Sequence, residues 1–182
     1  MQPIVHPVVG YLCYAAYARW RRGEPPHDGP ALVAVLAAGL ADLIDKPLAA
    51  AGVVDVGRTV GHSLLFVVPV VAVSWITAAR ANRRDLGVAV AIGYGSHVLA
   101  DVPWHVLSGD YAELGFLLWP VTHMPAYTGV KPFGLGTVAG FEATTLWLEA
   151  VILVAGIVHW WIDGRPGVGA VGSITGRLLE RG

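Results

Sequence analysis

Five apolar segments, each close to the length of a membrane crossing, constrain the fold of this 182-residue chain more than any other feature. They cover residues 4–20, 31–54, 62–79, 86–107 and 138–162. A helix needs about 20 mostly apolar residues to cross a bilayer. Hydrophobic residues make up 55% of the sequence and charged residues 14%, whereas soluble domains carry about 25% charged residues. The sequence therefore predicts an all-α fold: a polytopic transmembrane bundle of about five spans, forming one domain over residues 1–162.

Charge and cysteine content exclude several classes of protein. The formal net charge of −1 gives no support for a nucleic-acid partner. One cysteine, Cys13, allows neither an internal disulfide nor a cysteine-rich zinc site. The basic residues follow the first apolar segment instead of preceding it, which is the wrong order for a cleavable signal peptide. The predicted partner of the chain is the lipid bilayer.

Basic residues orient the predicted bundle. A five-span arrangement places nine arginines on one side: Arg19, Arg21, Arg22, Arg80, Arg83, Arg84, Arg165, Arg177 and Arg181. Lys46, Arg58 and Lys131 fall at or near the other side. By the positive-inside rule, the N-terminus is expected outside the cytoplasmic membrane. Residues 163–182 are expected to form a flexible cytoplasmic tail.

The stretch GYGSHVLADVPWH, residues 93–105, carries the first indication of chemistry. His97 and Asp101 are four residues apart, so on a helix they share one face. An imidazole and a carboxylate at that spacing can bind one divalent cation or pair with each other. Charged groups in apolar helices are costly and usually face a functional site or a polar interior.

The five-span arrangement places similar groups from four helices at the same depth, near the outer face. The members are His6, Asp42, Asp45, His62, His97 and Asp101. Neutral imidazole and carboxylate ligands suit zinc above all, and also manganese or iron, and six groups are enough for two ions. Two metals can clamp a phosphoryl group and activate water. Either aspartate of the second segment is a candidate ligand, and Asp45 is also the candidate catalytic base or the group that orients a histidine.

Other interpretations of these residues stay open at this stage. The cluster is also compatible with a structural polar network, or with a non-catalytic protein that binds or transports a divalent metal ion. Arg58 suits either an anionic substrate or a position at the membrane interface. The sequence assigns no role to Glu142, His105 or His123, and gives neither a substrate nor an oligomeric state. His27 and His159 fall at the arginine-rich side and are excluded from the site.

An early histidine, then ADLID, then GHSLLF, then GYGSHVLAD together resemble the YdjM-type family of membrane-bound metal-dependent hydrolases. The resemblance covers about the first 120 residues. That family is in turn distantly similar to zinc-dependent phospholipases C and fungal single-strand nucleases. The chain departs from the family pattern at Ala41, where a proline often precedes the first aspartate, and it lacks an obvious H-x-x-x-E pair.

The resemblance implies a ligand set and an activity. The implied ligands are His6, Asp42, His62, His97 and Asp101, with Asp45 as an alternative to Asp42. The implied activity is metal-dependent hydrolysis of a phosphoester or phospholipid at the extracytoplasmic face. The inner halves of the segments are largely apolar, which favours this one-sided site over a transport pathway.

Overall fold

The computed structural model describes residues 2–103, 106–107, 109, 111–125 and 143–169. Within these residues the chain is helical and contains no strand, so the all-α prediction is confirmed for them. The elements are α1 (Val5–Arg22), α2 (Asp28–Ala50), α3 (Leu64–Arg80), α4 (Arg84–Ala100), a 3₁₀ helix (Ala112–Leu118) and α5 (Ala143–Ile162). His105, Glu142 and residues 170–182 of the predicted tail lie outside the described residues.

Two helices end earlier than the apolar pattern predicted. Helix α2 continues through Pro47 and ends at Ala50 instead of residue 54. Helix α4 ends at Ala100 instead of residue 107, and the Asp101 N–H bonds back to the carbonyl of His97. Pro103 explains the second difference, since a proline disfavours helical backbone at the residue before it. Asp101 is thereby placed at the helix end and not within it.

Helices α1 to α4 alternate in direction, so the beginnings of α1 and α3 lie at the same end of the bundle as the ends of α2 and α4. Helix α5 runs parallel to α1. The Glu149 carboxylate accepts the Gln2 N–H at 3.1 Å, and Asp163 binds the guanidinium of Arg19 and the hydroxyl of Tyr11 further along. All described arginines except Arg58 therefore lie at the opposite end, which we call the arginine end.

Small residues let α1, α2 and α4 approach one another closely at the centre of the bundle. A Cβ atom added at Gly93 would overlap the carbonyl oxygen of Ala34, and one added at Gly10 would overlap the side chain of Ala38. Contacts this close require residues without large side chains. The three helices that carry His6, Asp42, Asp45 and His97 are thus held in direct backbone contact.

Large apolar side chains cover the outer faces of α3 and α5. In α3, Leu65, Val68 and Val73 are at least half exposed. In α5, Val154 and Ile157 are exposed to the same degree. Among the described residues, no helix combines the length and the apolar character needed for a membrane crossing.

Candidate metal centre

The structure brings the six predicted side chains together at the end of the bundle opposite the arginine end. All six are buried: His6, Asp42, Asp45, His62, His97 and Asp101. His6 comes from the first turn of α1, Asp42 and Asp45 from the last turns of α2, and His97 from the last turn of α4. Asp101 follows α4 directly. His62 lies just before α3. Four separate segments of the chain thus meet at one point.

Asp45 organises the loop of residues 51–63 that connects α2 to α3. Its Oδ1 accepts the Gly61 N–H at 2.8 Å, and its Oδ2 accepts the Thr59 N–H at 2.7 Å and the His62 Nδ1–H at 2.7 Å. Tyr94 holds the same loop from α4, because its hydroxyl donates to the Gly61 carbonyl at 2.7 Å. Both oxygens of Asp45 are therefore occupied. Of the roles left open for Asp45, this geometry favours orienting His62.

His62 and His97 point their Nε2 atoms at each other across 3.0 Å. The Nδ1 of His97 donates to the Ala38 carbonyl at 2.6 Å, and the Nδ1 of His62 donates to Asp45. Each neutral ring therefore carries its lone pair on Nε2. The Asp101 Oδ2, another acceptor, lies 3.1 Å from His62 Nε2 and 3.9 Å from His97 Nε2. Three acceptors converge here, so a proton or a metal ion has to lie among them.

A second group of acceptors lies beside the first. His6 Nε2–H donates to Asp101 Oδ1 at 3.0 Å, which leaves the lone pair of His6 on Nδ1. This Nδ1 lies 3.8 Å from Asp42 Oδ2. Both atoms are buried, and neither has a hydrogen-bond partner among the described residues. Such unpaired buried groups are costly, and a bound cation would satisfy both.

Two cationic side chains contact the cluster. Lys46 pairs with Asp42 Oδ1 one turn along α2, and Arg58 Nε donates to Asp101 Oδ2 at 3.0 Å. Both remain partly accessible, with 29% of the Lys46 side chain and 15% of the Arg58 side chain exposed. Phe116 of the 3₁₀ helix packs beneath Arg58 and against the His62 ring.

The pKa values of Asp101 and His62, which lie outside the helices, reflect the same contacts. Burial favours the neutral form of Asp101, but hydrogen bonds from His6 and His62 and the charge of Arg58 hold its pKa well below the usual value. Burial lowers the pKa of His62, yet its bonds to Asp101 and Asp45 raise it overall. A proton on His62 is therefore the competitor of any metal ion at this point.

The residues present fit a divalent cation. His6, Asp42 and His97 each offer a ligand atom within 4.8 Å of the others, and so do His62, His97 and Asp101. In the cluster, the three buried carboxylates of Asp42, Asp45 and Asp101 are offset by the two cationic side chains of Lys46 and Arg58. Buried carboxylates need compensating charge, and a metal ion among these donors would supply it.

Three further histidines lie in the described part of the chain, and none of them belongs to the cluster. His27, His123 and His159 are exposed and lie outside the cluster. The pairing of Lys46 with Asp42 follows the i, i+4 spacing in ADLIDK. This contact could therefore have been predicted from the sequence. The Ala38 carbonyl that orients His97 has no sequence signal, because every residue carries the same group.

The model of the YdjM inner membrane protein family matches residues 1–168 of the chain. The chain belongs to this family. The resemblance drawn from the four short motifs is thereby confirmed, and it extends beyond the first 120 residues through α5. Membership of the YdjM family indicates a membrane protein, and all six clustered side chains lie within the matched residues. Neither the curated proteins nor the solved structures contain a significant match to the chain.

Proposed function

We propose that the chain is a membrane-bound metal-dependent hydrolase whose substrate is a phosphoester or phospholipid. The observation that carries the proposal is the convergence of the lone pairs of His62 and His97 with the carboxylate of Asp101 at distances of 3.0–3.9 Å. Buried acceptors in this arrangement repel one another unless a proton or a metal cation lies among them. Imidazole and carboxylate donors suit zinc, and also manganese or iron.

The proposed ligands are His6, Asp42, His62, His97 and Asp101, shared between two neighbouring positions. His97 belongs to both groups of donors, and its single available lone pair, on Nε2, can bind an ion at either position but not at both. Asp45 is assigned to orienting His62, since its two oxygens already accept three hydrogen bonds. Carboxylates that orient a metal-binding histidine in this way fix its tautomer and raise its basicity.

A hydrolytic reaction at this centre would use both metal chemistry and the surrounding side chains. A bound divalent metal lowers the pKa of water and stabilises charge on phosphoryl oxygens. Arg58 and Lys46 border the donors and are partly accessible, so they are suited to binding an anionic substrate group. Phe116 packs against His62 and Arg58 and limits access of water from the side of the 3₁₀ helix.

The membrane arrangement that we propose is a bundle of transmembrane helices with the metal centre near the extracytoplasmic face. Membership of the inner membrane protein family and the exposed apolar faces of α3 and α5 support insertion. The helices α1 to α4 alternate, and all described arginines except Arg58 lie at the end opposite the cluster. The positive-inside rule then places the arginine end in the cytoplasm and the metal centre outside.

Packing beneath the cluster favours a hydrolase over a protein that transports the metal. Towards the arginine end, Tyr14, Ala18, Ala34 and Ala89 form a buried apolar cluster between α1, α2 and α4. Among the described residues of this packing, an ion that leaves the donors in this direction would meet only the Tyr14 hydroxyl as a possible ligand, among apolar side chains. The cluster is therefore suited to a site reached from one side.

Metal analysis and an activity screen on the same preparation test the proposal. The purified protein in detergent is expected to retain stoichiometric zinc, manganese or iron, and to hydrolyse a phosphodiester or a phospholipid. His97→Ala should lose most of the metal and the activity, whereas His123→Ala, which changes an exposed histidine, should keep both. Unchanged metal content in a folded His97→Ala protein would refute the assigned centre. Full metal content without hydrolysis of either substrate class would favour the non-catalytic metal-binding protein.

The orientation has its own test. Single cysteines are introduced at Val121, next to the metal-centre end, and at Asn82, between α3 and α4, on a background with Cys13→Ala. Both positions are exposed. A membrane-impermeant thiol reagent added to intact cells should label the cysteine at 121 and not the one at 82. The reverse pattern would place the metal centre on the cytoplasmic side.

A further inference from the structure

A separate cleft of about 650 Å³ lies between α1, α2 and α5, nearer the arginine end than the metal centre. None of its lining residues belongs to the cluster of histidines and aspartates. The walls include Val8 and Tyr11 of α1, Leu32 of α2, and Ile157 and Trp160 of α5; Pro166, in the turn after α5, also lines the cleft. We call it the α1–α5 cleft. Its volume lies in the range of sites that bind small molecules.

Specific polar contacts hold the turn after α5 in place. Asp163 binds Arg19 and the Tyr11 hydroxyl, and Asp28 Oδ1 accepts the Gly167 N–H at 2.9 Å. The Asp163 carboxylate is fully buried in these contacts. The cleft is therefore a feature built by three helices and an anchored turn.

The polar groups at the wall are already satisfied by the protein. The Tyr11 hydroxyl donates to Asp163 Oδ2 at 2.5 Å, and the Trp160 Nε1–H donates to the Pro166 carbonyl at 3.1 Å. The Gly167 N–H is bound to Asp28. The other lining side chains are apolar. Among the described lining residues, a polar ligand would find no partner for its own hydrogen-bonding groups and would be penalised on entry, whereas a hydrocarbon chain needs none.

The size of the cleft argues against a helix from a second protein. A docking helix has a diameter of 10–12 Å and would take up this volume within about one and a half turns. A narrow flexible chain can follow it instead. Since the family is one of inner membrane proteins, phospholipid is the abundant molecule with such a chain.

We infer that the α1–α5 cleft binds one acyl chain of a membrane phospholipid. The bound chain contacts Leu32 on one wall and Ile157 and Trp160 on the other, and reaches the turn at Pro166. The inference stands independently of the metal centre, because it uses none of its residues. It also does not require the lipid in the cleft to be the substrate of the hydrolase.

Photo-crosslinking tests the inference on the full chain. The protein in detergent is incubated with a phosphatidylethanolamine that carries a diazirine near the end of one acyl chain, irradiated, digested and analysed by mass spectrometry. The label is expected on the peptide that contains Ile157 and Trp160. Leu32→Trp fills the cleft and should remove most of that label. Leu36→Trp adds the same side chain one turn along α2 at an exposed position outside the cleft, and should leave the labelling unchanged.

Several outcomes would overturn the inference. One is equal labelling of Ile157 and Trp160 in the two variants; another is label confined to the exposed face of α3, which would indicate surface lipid only. A dimer in solution that dissociates in Leu32→Trp would assign the cleft to a second copy of the chain. Val168 lines the cleft from the turn after α5. Val168→Trp therefore replaces Leu32→Trp if that variant does not fold. Thermal unfolding, measured in parallel on both variants, shows whether a loss of label accompanies a general loss of structure.

Discussion

Replacing Asp45 by asparagine tests how the loop of residues 51–63 is positioned. The carboxylate accepts three buried hydrogen bonds, from the backbone of Thr59 and Gly61 and from the ring of His62. Asparagine keeps the shape but turns one acceptor into an N–H₂ donor. Whichever way the amide is turned, at least one buried N–H then faces another donor. The substitution therefore disturbs both the loop and the orientation of His62.

The expected loss of stability in Asp45→Asn follows from the hydrogen bonds that are lost. An unpaired buried donor costs about 1–3 kcal/mol, and hydrogen bonds to a charged group contribute about 1.5–3 kcal/mol each. We expect Asp45→Asn to destabilise the protein by roughly 2–4 kcal/mol, which lowers the Tm by about 4–16 °C for a chain of this size. Loss of a carboxylate that orients a metal-binding histidine typically weakens metal affinity about 10–100-fold. The melting temperature without metal and the affinity for zinc measure the two effects separately.

Asp55 provides the matched control. It lies in the same loop, is exposed, and loses the same charge in Asp55→Asn. An exposed substitution of this kind changes stability by about 0.5 kcal/mol or less. If Asp45→Asn melts at the same temperature as Asp55→Asn and binds zinc equally well, then Asp45 neither holds the loop nor orients His62, and the assignment is refuted.

Four further predictions address the ligands, the substrate and the packing. Asp42→Asn should lose metal and activity together in metal analysis and turnover assays; full retention of both would remove Asp42 from the centre. Arg58→Gln should raise the KM for a phosphodiester roughly 10–100-fold, the equivalent of about 1.4–2.8 kcal/mol, with partial recovery in Arg58→Lys; an unchanged KM would exclude substrate binding by this residue. Zinc affinity should fall as the pH is lowered through the raised pKa of His62, because the protonated ring cannot bind metal; in isothermal titration at several pH values the fall should be shallower for His62→Gln, and the same fall in both proteins would remove His62 from the ligand set. Gly93→Ala should destabilise the bundle by about 1–3 kcal/mol through overpacking against Ala34, whereas Gly95→Ala, which meets nothing within 4 Å, should be neutral or slightly stabilising in thermal unfolding.

The sequence alone was sufficient to predict the helices and the residues that form the cluster. Five apolar segments, each close to the length of a membrane crossing, predicted five helices. Consecutive spans of a membrane bundle alternate in direction, and this alternation places His6, Asp42, His62 and His97 at the same end. The short motifs around these residues predicted the family, which the match over residues 1–168 confirms.

The sequence could not separate the roles of Asp42 and Asp45, since both carboxylates lie on one face of α2 at nearly the same depth. The separation depends on a loop that returns after 14 to 17 residues and brings the donors of Thr59, Gly61 and His62 to Asp45. Asp42 keeps one oxygen without a partner among the described residues. Long-range backbone contacts of this kind leave no periodic signal in a sequence, because every residue carries an N–H group.

The tautomers of the histidines and the α1–α5 cleft were likewise decided by tertiary structure. The lone pair of His97 is directed into the cluster because its other nitrogen meets the carbonyl of Ala38, a contact that exists only where α2 and α4 approach at Gly93. The cleft exists because α5 packs on α1 while the turn at Pro166 folds back towards α2. Sequence spacing determines which side chains share a helix face, but the distance between two faces is set by the packing of whole helices.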